Sequence, residues 1–139
     1  MNQAAIFWPM IAHVVLVYIV YCLIGLRRRA AVKAGNARVS QFRENQSEPV
    51  ESLFVRNNLA NQFELPGLFH IVCLCLYVTS GAGLVPVVLA WLFVLSRYLH
   101  AYIHVTSNRI RFRQPAFSLG FLVLGLMWIW FVLHLVGAV

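Results

Sequence analysis

Charge is scarce in this chain. Only 11% of its 139 residues are Asp, Glu, Lys or Arg, while 61% are hydrophobic. That balance excludes an ordinary soluble domain, whose surface needs about twice as much charge. Acid is scarcest, with four Asp plus Glu against eleven Lys plus Arg and a formal net charge of +7. A basic excess can signal a nucleic-acid partner. Here the basic residues sit beside the ends of apolar runs, where membrane topology accounts for them, so no nucleic acid is expected. Cysteine is nearly missing too. Cys22, Cys73 and Cys75 all lie inside apolar runs, no CxxC occurs, and Cys73 and Cys75 are too close in sequence to share a helix face. They read as small hydrophobic residues without a metal or redox role. No internal repeat or low-complexity tract is present. The start also lacks the order of a cleavable leader: Arg27, Arg28 and Arg29 follow the apolar stretch Ile6 to Leu26 instead of preceding it. It reads as a retained membrane helix with its N-terminus outside.

What is abundant is hydrophobic length. A bilayer core takes about 20 apolar residues per helix. That requirement predicts an all-α integral membrane protein, a four-helix bundle occupying 1–139 as one domain, with helices near 6–26, 53–78, 84–105 and 115–136. The second is unusual. Its clean apolar part, Leu65 to Val78, is too short to span, so Asn61 and Glu64 must enter or touch the bilayer. The links 27–52 and 106–114 carry most of the basic residues, the first of them offset by Glu44, Glu48 and Glu51. The link 79-TSGAG-83 is short and neutral. The positive-inside rule makes the two basic links cytoplasmic and puts both termini outside.

Ionisable side chains at membrane depth cost roughly 2.5–3.5 kcal/mol on insertion scales and usually face a partner or a wet cavity. Asn57, Asn61 and Glu64 are spaced i, i+4, i+7 on one helix face, with Arg56 one residue off the stripe. Pro66 lacks an N–H and frees the carbonyl of Gln62. Arg97, His100, His104 and Asn108 form a second stripe. Arg109, Arg111 and Arg113 alternate with Ile110 and Phe112, which reads as an extended link, with Pro115 opening the fourth helix. Together these describe a basic pocket around one acid. It suits a small anion that also carries an ammonium group, because guanidiniums clamp carboxylates and Glu64 meets the cation. The same spacing also fits a plain Glu64–Arg97 ion pair that locks two helices. His100, His104 and His70 leave a haem or quinone protein open, and Glu64 a small transporter.

The pattern Asn61-x-x-Glu64 followed by Pro66 and Phe69, the pair Arg97-x-x-His100, and the arginine link into the fourth helix resemble the MAPEG family, membrane-associated proteins in eicosanoid and glutathione metabolism. The likeness is strongest over 53–120; before that it lies mainly in layout. It implies a homotrimer with glutathione, as co-substrate, between adjacent subunits near the cytoplasmic side. Asn61 and Glu64 then hold its peptide part, Arg97 and His100 line the cleft, and Arg113 steadies the thiolate beside Gln114 and Phe117. The activity implied is glutathione transferase or peroxidase chemistry on a lipophilic electrophile or lipid hydroperoxide that arrives from the bilayer between helices one and four. The chain departs from the pattern in three places. Ala60 stands where an arginine usually precedes the Asn, and Arg56 is positioned to replace that charge. His104 stands for a tyrosine, and Gln114 for a hydroxyl residue. These departures keep a non-catalytic lipid-binding member as the alternative. His104 and Arg109 complete the expected binding set. A chain this short with no retention signal is expected in a bacterial inner membrane.

Overall fold

The computed structural model describes residues 2–43 and 47–139; Glu44 lies outside them. After a 3₁₀ turn at Gln3–Ile6 come α1 (Phe7–Lys33), α2 (Val39–Arg43), α3 (Val50–Asn61), α4 (Leu65–Val78), α5 (Leu84–Val105) and α6 (Ile110–Leu135). Four stretches are long and apolar enough to cross a membrane: Gln3–Lys33, Val50–Val78, Leu84–Val105 and Ile110–Leu135. The protein is an all-helical, multi-pass integral membrane protein.

Three boundaries differ from the sequence expectation, each for a physical reason. The first helix does not stop at residue 26. Arg27, Arg28, Arg29 and the alanines after them are good helix formers, so α1 runs on to Lys33. The second is two helices, because the turn at 62–64 interrupts it. The segment 109–113 is not extended. Asn108 takes a left-handed backbone (φ 48°), its N–H caps the Ile103 carbonyl at 2.7 Å, and α6 begins directly afterwards at Ile110. Asparagine tolerates that conformation better than most residues. Pro115 therefore sits inside α6, not at its start. The carbonyl it leaves unpaired is that of Arg111, at the exposed end of the helix.

The helix α5 is central: half of its span is enclosed by the rest of the chain, against 28% for the first and fourth spans. It packs most extensively on α6. Their close approach needs Gly120, where a Cβ would fall 2.7 Å from Ser96 Oγ. Apolar side chains form two separate cores. One joins Ile6, Phe69, Val72, Leu76, Phe93 and Met127, and the other Leu16, Val20, Ile24, Val55, Ala101 and Val105. Beside them the bundle buries a set of polar residues: His13, Asn58, Gln62, Arg97, His100 and His104.

One end of the bundle gathers the basic links. Arg27 donates to the carbonyls of Val105 (3.2 Å) and Glu51 (3.4 Å), tying the ends of three spans. Arg28 holds Glu48 with two bonds (2.9 and 2.6 Å), Ser52 donates to the same carboxylate at 2.5 Å, and Arg28 also lies over the Phe42 ring. The other end gathers Gln3, the 79–83 link and His134. Gln3 Oε1 accepts from Ala82 N at 2.7 Å, and His134 Nε2 lies 3.0 Å from the Thr79 carbonyl.

Glu48 provides a pH test of the basic end. Its carboxyl is held below the usual range, chiefly by the Arg28 hydrogen bonds, with Ser52 and the charge of Arg56 adding to the effect against some cost of burial. A lowered carboxyl pKa stabilises the fold above the unfolded value of about 4.3, and that contribution fades as pH falls through the lower folded value. Glu48→Gln is therefore expected to melt a little below the native protein at neutral pH, by under about 1 kcal/mol because the pair is part-exposed. The two melting curves should converge in acid. A gap that persists at low pH would show that the charge is not the cause.

Candidate functional site

The site begins with the interruption at 62–64. A helix that breaks inside a membrane must find new partners for its freed backbone groups. Arg97 Nη2 supplies one, donating to the Asn61 carbonyl at 3.1 Å. The carbonyl captured is thus that of Asn61, one residue before the Gln62 carbonyl that Pro66 alone would free. Arg97 is 0% exposed, yet its Nε and Nη1 have no partner among the described residues. Its guanidinium carbon lies 5.8 Å from the centre of the Phe117 ring.

Beside it opens a cleft of about 310 Å³, lined by Asn61, His100, Ile110, Arg113, Gln114 and Phe117. His100 packs its ring on Phe117 (5.8 Å) and on His104 (5.6 Å), and its buried Nδ1 is also unpaired. Arg113 is held from behind: its Nη1 donates to Asn108 Oδ1 at 2.7 Å and lies 3.4 Å from His104 Nε2. Asn108 has left the helical stripe predicted for it, but its turn brings it to the arginine that the stripe was meant to reach.

Five of the expected site residues therefore share one cleft: Asn61, His100, Arg113, Gln114 and Phe117. Arg97 lies against it and His104 behind it. Three do not line it within one chain. Arg56 is exposed, and its charge is felt at Glu48. Arg109 is exposed at the start of α6. Glu64 is exposed at the start of α4 and forms no ion pair with Arg97 among the described residues, acting on it only through space. A locking Glu64–Arg97 pair is thus not what buries the arginine. His104 has a neighbour at each ring nitrogen, Asn58 Nδ2 and Arg113 Nη1. That leaves little of the His100–His104 pair for axial ligation.

The chain matches the family model described as MAPEG family over residues 5–133, nearly its whole length. It belongs to the MAPEG family. No curated protein and no solved structure matches it. MAPEG membership carries, in general terms, membrane-bound glutathione-related transferase or peroxidase chemistry or a related function.

Sequence reasoning missed half of the polar layer in this MAPEG chain. Asn58 and Gln62 are an i, i+4 pair one residue over from Asn57 and Asn61, on a buried face, and Gln62 Nε2 donates to Asn58 Oδ1 at 3.1 Å. Gln62 Oε1 meets His13 Nε2 at 3.1 Å, and His13 Nδ1 meets His70 Nε2 at 3.0 Å. The available signal was a second polar stripe one residue over, with a lone histidine in the first span to receive it.

Proposed function

We propose that this protein is a membrane glutathione-dependent transferase or peroxidase acting on lipophilic electrophiles or lipid hydroperoxides. The observation that carries this reading is the fully buried Arg97 guanidinium, whose Nε and Nη1 have no partner among the described residues, packed behind a cleft lined by Asn61 and Phe117. A buried charge without partners is expensive, and such a group persists where a ligand completes it. Arg97 and His100 offer three unpaired nitrogens to the carboxylates of a peptide. Asn61 and Gln114 offer amides, and Arg113 offers the cation that a thiolate needs.

The homotrimer belongs to the same proposal. Glu64, Asn57 and Arg56 form an exposed polar face at or near membrane depth. Lipid is a poor cover for such a face, and a neighbouring subunit is a good one. A cleft shared between subunits then gives Glu64 its role, which is to meet the ammonium of glutathione opposite the guanidiniums. The basic links and the cleft lie at the cytoplasmic end, where glutathione arrives from water, in an orientation that places both termini outside.

The chemistry starts with the thiol. A free thiol has a pKa of about 8.5 and is only slightly ionised at neutral pH. The Arg113 guanidinium favours the anion, and the proton leaves to solvent. The thiolate attacks the electrophilic carbon, a C–S bond forms, and the leaving group departs with its electron pair. In the peroxidase variant two glutathiones are oxidised to the disulfide while a hydroperoxide becomes an alcohol and water. An apolar groove of about 320 Å³ lies between α1 and α5, not between the first and fourth spans expected to admit the apolar reactant; it is lined by Leu16, Val20, Leu23, Tyr98, Ala101 and Val105, none of which lines the cleft.

Glutathione titration of detergent-purified protein tests this. Glu64→Gln is expected to weaken binding about tenfold or more, since hydrogen bonds to charged groups are worth about 1.5–3 kcal/mol. It should leave the ligand-free melting temperature unchanged, because Glu64 has no side-chain bond among the described residues. Equal affinity would make Glu64 merely structural. Tight binding without turnover would favour the non-catalytic alternative, and no binding at all would sink the proposal.

A further inference from the structure

The buried polar layer contains one unbroken chain of contacts, and its chemistry is over-determined. It runs from His70 to His13 (3.0 Å), to Gln62 (3.1 Å), to Asn58 (3.1 Å), to His104 (3.4 Å) and to Arg113 (3.4 Å). The links join α4, α1, the interruption in the second span, α3, α5 and α6. His13, Asn58, Gln62 and His104 are all at most 3% exposed, so water does not intervene at the middle members. In such a chain each internal member must donate on one side and accept on the other.

Two directions fit the same atom positions, because a side-chain amide can be turned end for end and a neutral imidazole can carry its proton on either nitrogen. If the chain donates from His70 toward His104, the Asn58 amide presents an N–H to His104 Nδ1 while Arg113 presents one to Nε2. A neutral imidazole accepts at only one nitrogen. Both contacts at His104 are the long ones, at 3.4 Å, as expected for a residue facing two donors. The guanidinium cannot relieve the conflict, because it has no acceptor. The amide can. Once Asn58 turns, Gln62 must turn, then His13 must move its proton, and the change ends only at His70.

We propose that Arg113 sets the direction of this entire chain, fixing His104 and His13 with their proton on Nδ1 and making His70 Nε2 the last acceptor. His70 then carries its own proton on Nδ1, as a donor on a part-exposed ring in α4. The chain is a positioning relay. It holds Arg113 at the cleft from behind, and it couples whatever engages Arg113 to a histidine four links beyond His104. His13, Gln62 and Asn58 are positioning residues for the arginine. The polarity needs no ligand; only its use in catalysis rests on the glutathione reading, so failure of glutathione to bind leaves the polarity result standing.

The test is the tautomer of each histidine, read from ring-nitrogen chemical shifts in ligand-free protein carrying ¹⁵N-histidine, with the five histidines assigned by single replacements. In the native protein His104 and His13 are both expected to show the Nδ1–H pattern. Arg113→Met should abolish that shared preference at both rings. Gln62→Leu should abolish it at His13 alone and leave His104 bound to Arg113. The native spectrum decides by itself if a variant fails to fold. A His13 proton on Nε2, or His13 and His104 protonated at opposite atoms, overturns the proposal. So does a His13 pattern unmoved by Arg113→Met.

Discussion

Glutathione conjugation at pH 7 is expected to fall about eight- to twenty-five-fold in kcat/KM when Arg113 is replaced by alanine. The magnitude follows from the thiol. A guanidinium at a partly enclosed site that lowers a thiol pKa of about 8.5 by one to two units, at about 1.4 kcal/mol per unit, raises the thiolate fraction at pH 7 by that factor. The protein should still insert and assemble. Arg113 sits at the membrane mouth of α6 and contributes to neither apolar core. Its losses are the contacts to Asn108 and His104; the 2.7 Å bond to Asn108, made by a charged group, is worth about 1.5–3 kcal/mol and the 3.4 Å contact less. Arg113→Lys should recover part of the rate, because the charge returns without the planar fork. The check is the rate with a chlorodinitrobenzene-type electrophile in detergent, alongside gel filtration. An unchanged rate would remove Arg113 from the chemistry.

The second expectation runs in two directions at once. Arg97→Met should raise the ligand-free melting temperature while lowering glutathione affinity about a hundredfold or more. In the native chain Arg97 is buried, with Nε and Nη1 unpaired among the described residues and one bond to the Asn61 carbonyl. Each buried unpaired donor costs about 1–3 kcal/mol, and the charge adds to that. Methionine has comparable length, packs on the same neighbours and removes the cost. The losses are the partner of the Asn61 carbonyl and the guanidinium contact with the Phe117 ring. Replacing buried ions by apolar side chains of similar volume is often neutral or stabilising by about 1–4 kcal/mol. Affinity moves the other way because the cationic anchor is gone. Thermal unfolding with and without glutathione separates the effects. A lower ligand-free melting point would show that the arginine holds the bundle together, and the cleft would lose its main support.

The spans were legible because hydrophobic length is a one-dimensional signal, and the four stretches fall where it put them. Their ends were less so. Arg27 to Lys33 looked like a link because charge marks the membrane edge, but nothing in those residues stops a helix, so α1 continues beyond it. The alternating arginines at 109–113 looked extended because alternation is the strand period. The left-handed turn at Asn108 ends α5 early enough for α6 to start in front of its proline. Within the cleft, Asn61, His100, Arg113, Gln114 and Phe117 were found from spacing and from likeness to the MAPEG pattern. Glu64 was expected beside Arg97, but the helix is interrupted between Asn61 and Leu65, and periodicity cannot be carried through such a break. Asn58 and Gln62 escaped notice for a related reason. Gln62 meets His13 across 49 residues of sequence and Asn58 meets His104 across 46, and pairings over such distances leave no local trace.

The interruption at 62–64 also bears on how the chain enters a membrane. Alone, α4 is about 21 Å long against a hydrocarbon thickness near 30 Å, and α3 carries too many amides and charges to be taken up unaided. The five-residue connection to α5 is too tight for either neighbour to wait outside. Biogenesis therefore treats the middle of this protein as a hairpin, in which the weakly hydrophobic arm is carried in by the strongly hydrophobic one.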